Sequence, residues 1–200
     1  MTSSTAIATP GTATTATTTW DIDPAHARAE FKVRHMMISY TKGEFSGLSG
    51  VSNLDESDYT KSTVEASIPA ASVRTVDDKR DAHLKNADFF DVEKFPALTF
   101  KSTNIQSTGG RNYAVTGDLT IHGVTKSVIL TVEDVSEPSN DPLGKKHIGL
   151  SGSTTIHRKD FGLTWNVALE FGGVLVGDEV AITLDLEFIK GQADRGETKR

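Results

Sequence analysis

Apolar and polar residues alternate along most of this chain. In the run Ala27-Arg28-Ala29-Glu30-Phe31-Lys32-Val33-Arg34-His35, the odd positions Ala27, Ala29, Phe31, Val33 and His35 share one face, and Arg28, Glu30, Lys32 and Arg34 share the other. A period of two marks a β-strand with one dry and one wet face. The same period sets Val64, Ala66 and Ile68 on one face, and likewise Leu98, Phe100 and Ser102. It recurs in Tyr113, Val115, Gly117, Leu119 and Ile121, and in Val128, Leu130 and Val132, where Ile129 breaks the rule. Ile148, Leu150, Gly152, Thr154 and Ile156 form a further row, as do Val180, Ile182, Leu184, Leu186 and Phe188. A weaker strand over residues 43–54 brings the expected number to eight.

Turn chemistry falls between these runs. His122-Gly123 reads as a tight hairpin and Ser107-Thr108-Gly109-Gly110 as a looser one. Residues 136–146, rich in Pro, Asn, Asp and Gly, read as a longer loop. Short connections between successive strands imply an up-and-down antiparallel order. One segment departs from the β-pattern. In residues 72–90, Thr75 followed by Asp78 resembles a capping box with Asp in place of Glu, and Leu84, Ala87 and Phe90 recur at helical spacing. A short helix over about 77–87, lying across one end of the sheet, is the expectation.

Eight half-dry strands with so little helix to cover them are expected to close. The predicted fold is all-β: an eight-stranded antiparallel up-and-down barrel, whose closure removes exposed edges. Such a barrel is either filled by side chains or holds one small ligand. Small inward residues (Ala29, Ala66, Gly117, Gly152 and Thr154) leave volume, whereas Phe31, Phe45, Phe100 and Phe188 can fill it. Periodicity leaves both readings open. By parity the interior is lined by Phe31, Val33, Phe45, Ile68, Phe100, Val115, Leu119, Leu130, Ile156 and Leu184.

Composition narrows the partners. The chain has 200 residues, no cysteine and a formal net charge of -6. That length suits one domain with a core of its own. The acidic balance, with no basic stripe, argues against nucleic acid. No run approaches the ~20 apolar residues of a membrane-spanning helix. Residues 1–19 hold nine threonines and four alanines, with no basic residue and no apolar run of signal-peptide length. They are expected to be a disordered tail, leaving a domain at 20–190, a polar tail at 191–200 and a cytoplasmic location.

The motifs DPAHARAEFKVRH, GEFSG, SVRTVDDKRDAHLKNADFFDVEKFPALTFKS, YAVTGDLTIHGVTKSV, IHRKDFGL and VGDEVAITLDLEF occur in this order across about 20–190. Together they resemble the YceI-like family of bacterial proteins. The resemblance implies a lipocalin-like barrel with an apolar interior. It also implies binding of long-tailed amphiphiles: isoprenoid quinones, polyprenyl phosphates or fatty acid amides. Many relatives are periplasmic, and the absence of a signal here departs from that pattern.

The polar candidates are few. Among six histidines none shows metal-ligand spacing, and no metal or cofactor is expected. His26, His83 and His122 are read as structural. His35 ends its inward row and is expected at a barrel mouth. Arg158 continues the row of Thr154 and Ile156, so it must lie at a rim, meet an anion, or pair with Asp81, Asp88 or Asp160. Arg80 and Lys85 are the next cations. Residues 161–176 are unusually apolar for a connection (Leu163, Trp165, Val167, Leu169, Phe171, Val174, Leu175) and read as a lid or a homodimer contact. Leu84, Phe90 and Trp165 complete the expected ligand-lining set. The expected function is non-enzymatic carriage, storage or sensing of a long-chain lipid. The alternatives are an enzyme on a hydrophobic substrate with His35 as general base, and a ligand-free interaction barrel.

Overall fold

The computed structural model describes residues 17–170 and 172–191. Its strands are β1 (Thr18–Ile22), β2 (Arg28–His35), β3 (Ser39–Phe45), β4 (Ser49–Leu54), β5 (Thr63–Pro69), β6 (Ala97–Gly109), β7 (Asn112–Ile121), β8 (Val124–Glu133), β9 (Ser139–Asn140), β10 (Lys146–His157) and β11 (Val176–Lys190), with one helix, α1 (Asp78–Lys85). β1 and β2 both pair antiparallel with β11, Ile22 opposite Phe188 and Arg28 opposite Asp185, so they are two halves of one interrupted strand. β3 and β4 are likewise two halves of the next, paired with β2 and β1. Counted this way, eight strands run up and down in chain order, the ladder from His147–Ile189 to His157–Glu179 joins β10 to β11, and pairing of β11, the last, with β1 and β2, the first, closes the barrel.

The two ends differ. At one lie the 55–62 connection, the β7–β6 turn and the 134–145 loop, together with the outer ends of β1 and β11. At the other, called here the helix end, lie the β2–β3 turn, residues 70–96 with α1, the His122-Gly123 turn and residues 158–175. Two apolar clusters follow this division. Trp20, Ile22, Leu48, Ile105, Val115, Val132, Val135, Ile148 and Phe188 pack toward the first end. Ile121, Ile156, Phe161 and Leu163 pack toward the helix end.

Several expectations are corrected in detail. Strand pairing begins at Thr18, inside the segment assigned to the tail: Thr18 and Thr19 face Leu54 and Asn53. Thr18 Oγ1 also accepts the indole N–H of the fully buried Trp20 at 2.8 Å. Residues 1–16 and 192–200 lie outside the described residues. The helix cap is Asp77, whose carboxylate accepts from the Arg80 N–H at 2.9 Å; Thr75 instead bonds Asp81 through both its N–H (2.8 Å) and its hydroxyl (2.5 Å). β6 runs past Ser102 to Gly109, and a bulge between Ser102 and Asn104 moves its inward row from Phe100 to Ile105.

Candidate functional site

The inward rows enclose a cavity of about 290 Å³ that runs from Tyr59, Tyr113 and Val135 at one end to Leu84, Phe89, Phe90 and Leu163 at the helix end. All ten residues expected from parity line it: Phe31, Val33, Phe45, Ile68, Phe100, Val115, Leu119, Leu130, Ile156 and Leu184. Leu84, Phe90 and Arg158 line it too. His35 and Trp165 do not appear in its wall. His35 ends β2 opposite Ser39 and Val176, at the rim. Trp165 stands behind the wall, its ring 4.6 Å from that of His83 and 5.3 Å from that of Phe89.

The choice between hollow and filled is made position by position. A Cβ on Gly117 would run into the Phe100 ring and lie 2.6 Å from the Lys101 carbonyl oxygen, so that glycine makes room for an aromatic ring. Gly43 does the same for Phe31, whose Cε1 lies 2.7 Å from where a Cβ would stand. At Gly152 the nearest side-chain atom is Leu184 Cβ at 3.6 Å, and the volume there stays open.

Ser52, Ser62 and Arg158 in the wall are spent on the protein itself. Ser52 Oγ donates to the Thr63 carbonyl at 2.9 Å, and Ser62 Oγ accepts from the Asp55 N–H at 3.0 Å. Arg158 is 3% exposed, which corrects the expectation of an open rim or of pairing with Asp81, Asp88 or Asp160. Its guanidinium donates to four carbonyls: Gly177 (2.8 Å), Trp165 (2.9 Å), Val176 (3.3 Å) and Leu163. Four of the five N–H donors of an arginine are thereby committed. Burial lowers its pKa and the nearby Asp178 carboxylate partly offsets that. Arg158 thus ties residues 163–165 to the start of β11, closing the helix end. Phe161 and Leu163, both buried, complete that cover. Phe171 lies outside the described residues.

Arg80, His83 and His122 also meet partners within the protein. Arg80 donates to the Thr75 hydroxyl (2.6 Å) and carbonyl (2.7 Å). His83 bonds Asp88 at 2.9 Å, and the His122 ring stacks edge-on to Phe95 at 4.6 Å. Sequence spacing did not show that Asp23, His26 and Glu187 bring ligand-type atoms within 4.8 Å of one another, because the set is assembled across β11. His26 and Asp23 are bonded to each other at 2.7 Å and Glu187 to His147 at 2.5 Å. Hydrogen bonds from His26 and the Ala25 N–H hold the Asp23 carboxyl below its usual range, and Asp23 raises His26. Ile105, Trp20 and Leu48 are interior residues that parity missed. Trp20 and Ile22 do alternate with Asp21, a signal that was present but short. Among the described residues, no helix is long and apolar enough to cross a membrane.

Known proteins share this architecture. A UPF0312 protein of Staphylococcus aureus is 34% identical over 171 residues, covering 86% of this chain and 97% of its own. One from Vibrio cholerae is 36% identical over 143 residues, covering 72% and 75%. Among solved structures, BcnA of Burkholderia cenocepacia superposes with a TM-score of 0.71 at 26% identity, over 83% of this chain and 98% of that one. A polyisoprenoid binding domain from Saccharophagus degradans superposes with a TM-score of 0.63 at 16% identity, over 86% and 98%, a likeness of fold. The model of the YceI-like domain matches residues 20–188, the span of the barrel from Trp20 to Phe188, and the chain belongs to the YceI-like family.

Proposed function

We propose that this protein is a non-catalytic carrier of a long-chain amphiphilic lipid of the polyisoprenoid class, held tail-inward in the barrel. The observation that supports this reading most is the continuous apolar cavity lined by all ten parity-selected residues. Its driving force is solvation of the tail, at roughly 0.8 kcal/mol per buried CH₂, so ten carbons supply on the order of 8 kcal/mol before ordering costs. The volume of about 290 Å³ is near the low end of the ~300–1,000 Å³ of ligand sites, which suits a tail of moderate length. A longer isoprenoid needs the cover at Leu163 and Phe89 to yield. The name of the Saccharophagus domain points to the same ligand class.

Selection then rests on the tail more than on the head. Arg158, with four of its five donors committed to backbone carbonyls, retains little hydrogen-bonding capacity for an anionic head. The enzymatic alternative needs polar groups converging on the cavity, and His35 stands outside its wall. The test is a titration with quinones of one head group and increasing tail length. Affinity is expected to climb with each added isoprene unit until the cavity is full, then level off. Affinity indifferent to tail length, or turnover of the ligand, would contradict the proposal.

A further inference from the structure

Large apolar side chains are not exposed at random on this barrel. Among the described residues eight stand exposed, and six of them, Met36, Met37, Ile38, Tyr40, Val76 and Val167, belong to the helix end. Ile129 lies mid-strand on the outer wall and Leu143 in the loop of the opposite end.

The β2–β3 turn is the centre of this patch. The Ile38 N–H donates to the His35 carbonyl at 3.1 Å around Met36 (φ 51°) and Met37 (φ 64°). Positive φ at both central residues of this turn is the type I′ combination, which favours Asn-Gly, here inside a three-residue loop closed by the His35–Ser39 pair. The same protein builds its other tight hairpin with His122 (φ 50°) and Gly123 (φ 73°), closer to that preference. Two methionines in left-handed backbone, half out in water, together with a 78% exposed Ile38, serve neither the turn nor solubility. A local rule broken in this way without a packing gain points to function.

The surroundings say what would cover the patch. The Met36 N–H donates to the Leu175 carbonyl and the Leu175 N–H to the Val167 carbonyl, so exposed Val167 is hydrogen-bonded in series with the turn. The same segment, through Leu163 and Trp165, is held by Arg158 over the end of the cavity. Behind the apolar tip, Arg34 and Lys32 flank the Tyr40 ring at 4.2 and 4.9 Å, and Lys32 faces Lys42 across the ladder. Like charges in register oppose pairing, and a nearby anion relieves them. An apolar tip, a tyrosine above it and cations above that is the composition of a membrane-interface contact. Residues 74–94 on the helix side carry five cations against six carboxylates, whereas the hairpin over 28–45 carries four cations against two carboxylates, so the hairpin edge is the one that meets an anionic surface.

We propose that the Met36-Met37-Ile38 turn, with Tyr40 and Val167, docks the helix end onto the headgroup region of an anionic lipid bilayer, from which the barrel draws its ligand. This rests on the carrier reading above. The test floats the full-length protein with vesicles of phosphatidylcholine and phosphatidylglycerol, alongside the Met36→Asn/Met37→Gly double variant. Sedimentation velocity, thermal melts and vesicle-free uptake of a fluorescent long-chain probe accompany it. The native protein is expected to float, and the variant to lose at least about tenfold in vesicle partitioning. The variant melts no lower, because Asn-Gly suits the turn, and takes up the probe as before. A native protein that stays with the soluble fraction, or a variant that floats equally well, overturns the proposal. So does a native dimer that ignores vesicles and falls apart in the variant, which makes the patch a contact between two copies. Uptake fails on its own if the carrier reading is wrong, and flotation then still reports on the docking surface.

Discussion

At the scale of single residues, glycines decide where the barrel is full and where it is empty. Gly117 and Gly152 look alike in sequence, each a small inward position on an apolar row. One is covered by the Phe100 ring and the other opens onto the cavity. That difference depends on where a neighbouring ring lies, which alternation does not encode. Gly117→Val is therefore expected to cost upwards of about 1–3 kcal/mol by overpacking, read as a lowered denaturation midpoint. Gly152→Leu is expected to keep the melting temperature and lose probe uptake, since its Cβ meets only ordinary contacts and the rest projects into the cavity. A Gly152→Leu protein that binds normally would mean the cavity is not where the tail lies. Arg158 was legible as an arginine that must not be left alone inside, but its partners were not, because they are backbone carbonyls. Each hydrogen bond from a charged donor is worth about 1.5–3 kcal/mol, so Arg158→Met is expected to lower stability substantially and to weaken neutral and anionic ligands alike. Selective loss of the anionic ligand would restore a head-group role.

The Asp23–His26 pair gives a pH signature at the same scale. His26 has a raised folded pKa, so its contribution is fully present below the unfolded value of about 6.5 and is lost as pH rises through the folded one. Asp23 has a lowered pKa, so its share is present above about 3.9 and is lost as pH falls through the folded value. The His26 side chain is 64% exposed, so the effect on melting is small and the place to see it is an NMR titration. Asp23→Asn is expected to bring the His26 pKa down toward its ordinary value; no change would mean the pair does not form in solution.

Elements were more legible than residues. The period of two located seven of the eight ladder strands and the weaker 43–54 run the eighth, which is β3 and β4; α1 stands where a helix was expected but ends at Lys85, short of Ala87 and Phe90, whose spacing suggested it. What escaped was where a strand begins or is interrupted. β1 is five residues long and only Trp20 and Ile22 mark its dry face, so a threonine-rich approach hid Thr18 and Thr19. Deletion through residue 16 is expected to leave the melting temperature unchanged. Deletion through residue 19 is expected to lower it, because it removes the pairing to Asn53 and Leu54 and the acceptor of the Trp20 indole. Equal melts for the two truncations would make that pairing dispensable. The bulge in β6 is the other lesson, since one extra residue after Ser102 carries the inward row from even to odd numbers and brings Ile105 inside.

At the scale of the molecule, closure followed from a shortage of cover, and the pairing of the last strand, β11, with β1 and β2 supplies it. Whether the closed barrel holds a guest depends on the sum of many side-chain positions, which is why the sequence left hollow and filled evenly matched and the cavity tips the balance. The most direct measurement is organic extraction of the purified protein followed by mass spectrometry of the extract. A long-chain isoprenoid or comparable lipid, near one per barrel and absent from a Gly152→Leu preparation, is the expected result. Native protein with no extractable lipid, and no uptake when lipid is supplied, would contradict the carrier function.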